Sequence, residues 1–303
     1  MSKRRKKRQA KNNYKPYFHL AIGIFFVAFI AYLLVNTKYW SKDRKLILTH
    51  PLLNGDVEVV VFNPKTDEIT AIVIPKTTDV DVSRGLGVWQ LGSVWQLGIN
   101  EGMGGRLLTE TVVKNFKIPA FAWLNSAPNS YSDIGMGGLL KALLIPKNTN
   151  LKLGDRVRLM LFALSVKEFK KTSIDLNNTN YLKREILKGG EEGYKVTNNF
   201  PHKLILVISD IRFAKEDIRV LILDNTGSRG FTGQIGEIIE KMSAKVASVD
   251  IGDKKELDCL VISSDRDLAE RVGIVFGCEV RKGETKGNFD IELTLGKQFV
   301  DRY

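Results

Sequence analysis

Histidine and cysteine are scarce in this chain, whose 303 residues include three histidines and two cysteines. His19, His50 and His202 are far apart in the sequence, and no Cys-x-x-Cys, His-Glu-x-x-His or nucleophile-elbow pattern occurs. Zinc sites and hydrolases of those types depend on such closely spaced residues. The sequence therefore predicts no metal site built from a histidine or cysteine cluster.

Acidic residues are absent from positions 1–15, and charged residues of either sign are absent from positions 16–35. The first segment instead carries eight cations, namely Lys3, Arg4, Arg5, Lys6, Lys7, Arg8, Lys11 and Lys15. The second is a run of 20 uncharged residues, long enough as a helix to cross the hydrocarbon layer. It is also longer than the apolar part of a cleaved signal peptide and does not end in small residues. We therefore predict a basic cytoplasmic tail over 1–15 and an uncleaved transmembrane signal-anchor helix over 16–35.

The position of the cations also predicts an orientation. Positive residues stay on the cytoplasmic side, which places residues 41–303 outside the plasma membrane. A buried helix of a soluble protein is the other interpretation of 16–35, but such helices are rarely apolar all round. The cations could bind anionic lipid or nucleic acid. Without these eight, 38 Lys and Arg remain against 34 Asp and Glu, a net charge of +4, so we predict no nucleic-acid partner.

The remaining residues suit a mixed α/β protein with two domains. Apolar β-branched runs at 57–62 and 69–74 flank turn residues and predict a hairpin, whereas a helical apolar pattern begins at Gly105. We predict a layered α/β sheet domain over 41–176 and a small βαββαβ domain over 218–303. Between them, 177–217 is predicted as a boundary segment holding a short helix at 181–187 and a strand at 204–209.

The two cysteines, Cys259 and Cys278, both fall in the second predicted domain. An extracytoplasmic location permits a disulfide between them. Free cysteines are also common in protein cores. Since spacing alone does not reveal geometry, both interpretations stay open.

Several segments resemble the LytR-CpsA-Psr family. Residues 218–227 (IRVLILDNTG) and 290–297 (DIELTLGK) are similar to the opening and closing strands of the LytR C-terminal domain. The preceding part resembles a divergent LytR-CpsA-Psr domain in segments that occur in the family's order, namely 59–66 (VVVFNPKT), 71–78 (AIVIPKTT), 110–120 (ETVVKNFKIPA) and 154–158 (GDRVR).

The resemblance implies an envelope protein that moves a glycopolymer from a polyprenyl-pyrophosphate carrier to the cell wall. Such a site holds the pyrophosphate with arginines, acids and a divalent metal, which would be magnesium, because planar guanidinium groups bind phosphate oxygens in pairs. This sequence departs from the pattern. Lys76 and Thr77 replace the motif's Arg and Asp, Leu161 replaces a second Arg, and the loop that should carry an acid is reduced to 49–51. Lysine cannot bind two phosphate oxygens in this paired way, because it has no planar guanidinium group.

Five residues remain as candidate pyrophosphate-binding remnants: Asp56, Lys76, Arg84, Arg106 and Arg158. Each is equally interpretable as solvated surface charge, because the sequence does not fix their mutual geometry. Gly104 and Gly105 precede a predicted helix, where an anion could bind.

A short tandem, VWQLG at 88–92 and again at 94–98, places Trp89 and Trp95 six residues apart. In an extended segment both side chains would lie on one face. Such a face could bind a glycan or a lipid chain, or the two rings could anchor the loop in the core.

These observations favour a membrane-anchored envelope protein that binds or scaffolds without catalysis. A glycopolymer phosphotransferase of the LytR-CpsA-Psr type is the alternative, and a purely structural envelope protein is a third. The predicted partners are the bilayer, through 16–35, and an envelope glycopolymer, a lipid carrier or a protein. No cofactor is predicted except magnesium if the transferase interpretation holds.

Overall fold

The computed structural model describes residues 14–125, 148–187, 190–228 and 230–303. The predicted basic tail lies outside the described residues as far as Asn13. Helix α1 (Tyr14–Val35) covers the predicted anchor segment. Among the described residues, no helix combines the length and the apolar character needed to cross a bilayer.

Strands and helices are mixed along the described residues, as the sequence predicts. The strands are β1 (Leu46–Pro51), β2 (Val57–Asn63), β3 (Glu68–Ile74), β4 (Thr78–Val82), β5 (Gly87–Gln90), β6 (Ala122–Asn125), β7 (Asn148–Thr149), β8 (Lys171–Asp175), β9 (Leu182–Ile186), β10 (Glu192–Val196), β11 (Arg219–Asn225), β12 (Lys245–Ile251), β13 (Cys259–Ser263), β14 (Glu279–Lys282) and β15 (Ile291–Gly296). The helices are α1, α2 (Leu91–Asn100), α3 (Gly105–Phe116), α4 (Leu153–Ser165), α5 (His202–Ile208), α6 (Ile211–Glu216), α7 (Phe231–Lys241), α8 (Arg266–Phe276) and α9 (Lys297–Arg302), with short 3₁₀ turns at Glu168–Lys170 and Leu176–Asn178.

The first sheet has the strand order β7-β6-β1-β2-β3-β8. Strands β1, β2 and β3 form an antiparallel meander, and β6 and β8 join its two sides in parallel. Successive side chains of a strand point to opposite faces. Accordingly, Ile47 and Val59 belong to the core that includes α3, whereas Leu48 and Val60 belong to the core that includes α4. Helices α3 and α4 therefore cover opposite faces of this sheet.

The second sheet corrects the prediction for 177–217. Its order is β5-β4-β10-β9, so β9 occupies the segment predicted as a short helix. The predicted strand at 204–209 is instead α5, which starts after Pro201 and buries Leu204 and Ile208 one helical turn apart. Cross-strand pairing with β10 outweighs the helix propensity of the charged residues in β9.

The third sheet has the order β12-β11-β15-β13-β14. The predicted strands at 218–223, 245–251, 260–263 and 291–295 all appear in it. The βαββαβ prediction omitted β14, which pairs in parallel with β13, and the helix α9. A disulfide joins Cys259 to Cys278.

Both predicted domains share one apolar core. The cluster on the α3 face of the first sheet continues through Leu204 and Phe213 to Val220 and Leu293 of the third sheet. Polar contacts add to this connection: the Arg84 amide donates to the Arg302 carbonyl at 3.0 Å. Lys45 Nζ donates to the carbonyls of Leu206 and Val207, each at 2.8 Å.

The segment that follows α1 is held by a single buried carboxylate. Asp155 Oδ1 accepts hydrogen bonds from the backbone amides of Lys38, Tyr39 and Trp40 at 2.9, 2.9 and 2.8 Å. Asp155 lies in the first turn of α4, where its charge also complements the helix N-terminus. This clamp ties the chain after α1 directly to α4.

Candidate functional site

Asp56 and Lys76 meet where β2 begins and β3 ends. The register that pairs Val57 with Ile74 brings them together. The Lys76 amide donates to Asp56 Oδ1 at 2.9 Å, and Lys76 Nζ donates to the Asn54 carbonyl at 3.0 Å. A Cβ atom at Gly92 would lie 2.7 Å from Lys76 Cβ, so α2 starts directly against this lysine. Asp56 and Lys76 therefore connect the start of β2 to the end of β3.

Arg84 and Arg106 also meet, through a shared carboxylate. Arg84 Nε and Nη2 donate to Glu110 Oε2 and Oε1 at 2.9 and 2.8 Å. Arg106 Nε donates to Glu110 Oε1 at 2.8 Å across one turn of α3. The carboxylate of Glu110 thus already balances part of the positive charge of Arg84 and Arg106. Arg106 and Glu110 line a cleft of about 340 Å³ that also includes Lys38 and Gly277.

Arg158 lies elsewhere, on α4. It lines a shallow groove with Trp40, Pro64, Asp67 and Phe162. Since α3 and α4 cover opposite faces of the first sheet, the sheet separates Arg158 from Arg106. The structure thus pairs Asp56 with Lys76 and Arg84 with Arg106, and it does not bring Arg106 and Arg158 into one pocket.

The loop expected at 49–51 is part of strand β1. Its His50 faces Glu58 in the β1–β2 register, and His50 Nε2 lies 2.6 Å from Glu58 Oε2. Both side chains are fully buried, on the α4 face of the sheet, since they are in phase with Leu48 and Val60. Sequence reasoning missed this pair. The available signal was two polar residues equidistant from the turn between the first two strands.

The two tryptophans of the tandem do not share a face. Trp89 is on strand β5, whereas Trp95 is in helix α2, because the strand ends at Gln90, inside the first copy, and the helix begins at Leu91. Trp95 is buried in the core, but 44% of Trp89 is exposed. The indole Nε1 of Trp89 donates to the Leu86 carbonyl at 2.8 Å. The predicted glycan or lipid surface is thereby reduced to Trp89 and its neighbours.

A charged cluster that the sequence did not reveal joins the two predicted domains. Asp267 on α8 accepts from Arg44, Arg212 and Arg271 at 2.7, 2.8 and 3.2 Å. Burial lowers the pKa of Arg271 to about 10, and the nearby Arg44 acts in the same direction. Burial also lowers the pKa of Lys45 to about 8, against an opposing influence of Glu68. In the described ranges, no group of three or more His, Cys, Asp or Glu residues is arranged to hold a metal ion.

Comparison with known proteins gave matches among solved structures alone. No protein-family model and no curated protein matches this chain. TagT of B. subtilis has 16% identity over 53% of this chain and 87% of its own, with a TM-score of 0.38. The LytR-CPS2A-psr family protein YwtF (TagT) with bound octaprenyl pyrophosphate lipid has 16% identity over 53% and 87%, with a TM-score of 0.37. B. subtilis TagV has 10% identity over 52% and 92%, with a TM-score of 0.36. Similarity at this level transfers neither an activity nor a ligand to the present chain.

Proposed function

We propose that this chain is a plasma-membrane-anchored envelope protein of the LytR-CpsA-Psr type that binds an envelope component without transferring phosphate. The observation that carries the proposal is the separation of Arg106 from Arg158 by the first sheet. A pyrophosphate in a transfer reaction needs several cations around one group, because negative charge develops on its oxygens. Cations on opposite faces of a sheet do not meet that need.

The remaining candidate cations are engaged in contacts of their own. Lys76 Nζ binds the Asn54 carbonyl, and Glu110 accepts from both Arg84 and Arg106. Glu110 occupies Nε of Arg106 and both Nε and Nη2 of Arg84. Its carboxylate would also repel a phosphate entering beside Arg106, which lowers the affinity of the phosphate.

Anchoring through residues 16–35 is the second part of the proposal. Its support is the uncharged sequence of that segment behind eight cations. The large apolar side chains of α1 whose burial is described are exposed, including Phe18, Ile24, Phe25 and Val27. A lipid environment would cover them, with the tail in the cytoplasm and residues 41–303 outside.

A glycopolymer phosphotransferase is the competing function, and one titration separates the two. The full chain in lipid nanodiscs is titrated with farnesyl pyrophosphate by calorimetry, with and without magnesium, against empty nanodiscs. We expect no saturable magnesium-dependent heat at millimolar ligand. The variants Arg106→Ala and Arg158→Ala should then match the wild type, as should the control Lys203→Ala, at an exposed lysine outside both arginine sites.

Saturable magnesium-dependent binding that disappears in Arg106→Ala or Arg158→Ala, but not in Lys203→Ala, would overturn the binding-only proposal. It would assign the chain to pyrophosphate chemistry. Binding that all three variants retain would instead indicate a prenyl pyrophosphate site without these arginines.

A further inference from the structure

The exposed tryptophan Trp89 lines a groove at the side of the second sheet. The groove has a volume of about 330 Å³ and is lined by Asp79, Val88, Trp89, Gln90, Ser93, Leu187 and Glu191. This size is at the lower end of small-molecule pockets. The lining residues come from β4, β5, the first turn of α2 and the turn between β9 and β10.

The groove is held in shape by contacts between these distant segments. Strand β10 pairs with β4, so that Lys195 lies beside Asp79, and Gln90 Nε2 donates to Glu191 Oε2 at 3.3 Å. The hydrogen bond from Trp89 Nε1 to Leu86 fixes the indole ring at the groove. A preorganised wall of this kind reduces the entropy lost when a ligand binds.

The polar groups of the groove are acceptors and hydroxyls. Asp79 and Glu191 contribute two carboxylates and Ser93 contributes a hydroxyl. Asp79 also interacts electrostatically with Lys195 on the adjacent strand β10. Among the lining residues that the structure describes, none is Lys, Arg or His. The two carboxylates repel phosphate and carboxylate ligands, although Lys195 beside Asp79 offsets part of their charge, and this repulsion is a form of selection against such ligands. They favour donors such as hydroxyl and ammonium groups.

We infer that the Trp89 groove binds a saccharide that is neutral or carries amino groups. The C–H face of a sugar ring packs on the electron-rich face of an indole, while its hydroxyls donate to Asp79 and Glu191 and accept from Ser93. An ionised phosphodiester, as in an anionic lipid, offers no donor to the carboxylates and meets like charge. The inference deepens the proposed binding function by naming the ligand class, and it gives Trp95, buried in the core, no part in the site.

Calorimetry on the full chain in nanodiscs tests the inference with three probes: an N-acetylglucosamine tetrasaccharide, a glucosamine tetrasaccharide and a glycerol phosphate oligomer. The first two should bind saturably and the third should not. Trp89→Ala should weaken sugar binding about tenfold, as expected for loss of an aromatic contact. Trp89→Phe should retain most of the affinity, because it keeps a flat ring.

Phe169→Ala is the matched control, since Phe169 is also an exposed aromatic residue but lies outside the groove. It should bind both sugars like the wild type. Glu191→Gln should weaken the glucosamine probe more than the acetylated one, because only the former carries ammonium groups. Circular dichroism of each variant confirms the fold.

Three results would overturn the inference: tighter binding of the glycerol phosphate oligomer, no binding of either sugar at millimolar concentration, or unchanged sugar affinity in Trp89→Ala. These outcomes are independent of the farnesyl pyrophosphate titration. Failure of the groove therefore leaves the binding-only proposal testable, and the reverse also holds.

Discussion

At the residue scale, Gly105 shows how a motif typical of anion sites serves packing instead. A Cβ atom at Gly105 would lie 2.3 Å from Trp123 Cδ1 and 2.4 Å from Trp95 Cζ3. The preceding Gly104 has a φ of +56°, and its Cβ would lie 2.6 Å from Asn148 Nδ2. Gly105 thus permits close approach of two indole rings to the start of α3, and Gly104 permits that of Asn148. The predicted helix start at Gly105 is confirmed, but the neighbours that require glycine come from remote segments.

Gly105→Ala should therefore destabilise the protein. Because one ring on each side leaves no space for a methyl group, we expect a loss of about 2–3 kcal/mol in the free energy of unfolding. Chemical denaturation monitored by tryptophan fluorescence measures it. Gly233→Ala on α7 is the control, since nothing lies within 4 Å of its Cβ position. That change should be neutral or slightly stabilising. Equal behaviour of both variants would contradict the packing role.

The candidate site was predictable at the level of residues but not of their arrangement. The predicted hairpin is present, but the sequence did not indicate that the pairing of β2 with β3 brings Asp56 and Lys76 together. The separation of Arg106 from Arg158 depends on which face of the sheet each helix covers, and a single sequence does not specify this. Similarly, the tandem predicted that Trp89 and Trp95 lie on one face of an extended segment, whereas strand β5 ends between them.

At the element scale, the disulfide connects β13 to the segment that follows α8. It closes a loop with a sequence separation of 19 residues. Restricting the unfolded chain in this way stabilises the folded state by about 3 kcal/mol in the chain-entropy model. The double variant Cys259→Ser/Cys278→Ser should lose about that much in urea denaturation. Adding reductant should lower the stability of the wild type and leave the double variant unchanged. A wild type insensitive to reductant would argue against this role.

Elements with a clear period were predicted well, whereas two short elements, α5 and β14, were not. The hairpin β2–β3 and helices α3 and α7 follow from long, regular apolar patterns. Helix α5 was predicted as a strand because its apolar run, rich in β-branched residues, is too short for periodicity to decide. Strand β14, with its charged sequence EVRK, exists because β13 offers a pairing edge, which is tertiary information.

At the scale of the whole molecule, Lys45 should make the junction between the domains sensitive to alkaline pH. Its pKa is about 8 in the folded protein, lowered by burial, against about 10.5 in an unfolded chain. Between these values the unfolded chain binds more protons than the folded one, so stability rises with pH. The wild type should therefore gain stability relative to Lys45→Met as pH increases from 8 towards 10.

The melting temperatures of both proteins, measured from pH 7 to pH 10, test this expectation. Lys42→Met, on an exposed neighbour, is the control and should run parallel to the wild type. A constant difference between wild type and Lys45→Met across this range would show that Lys45 does not titrate there.

The clamp made by Asp155 limits how far the folded portion can move relative to α1. Val35 ends α1, and Lys38 is already bound to α4. A flexible tether would let the folded portion sample a wide volume, and the local concentration of a surface-borne ligand would follow chain statistics. Here only Asn36 and Thr37 lie between α1 and the clamp, so the folded portion has much less freedom to move than it would have on a flexible tether. With α1 in a bilayer, the height of the Trp89 groove above the lipid would be a fixed dimension of the molecule, selecting ligands by how far they extend from the surface.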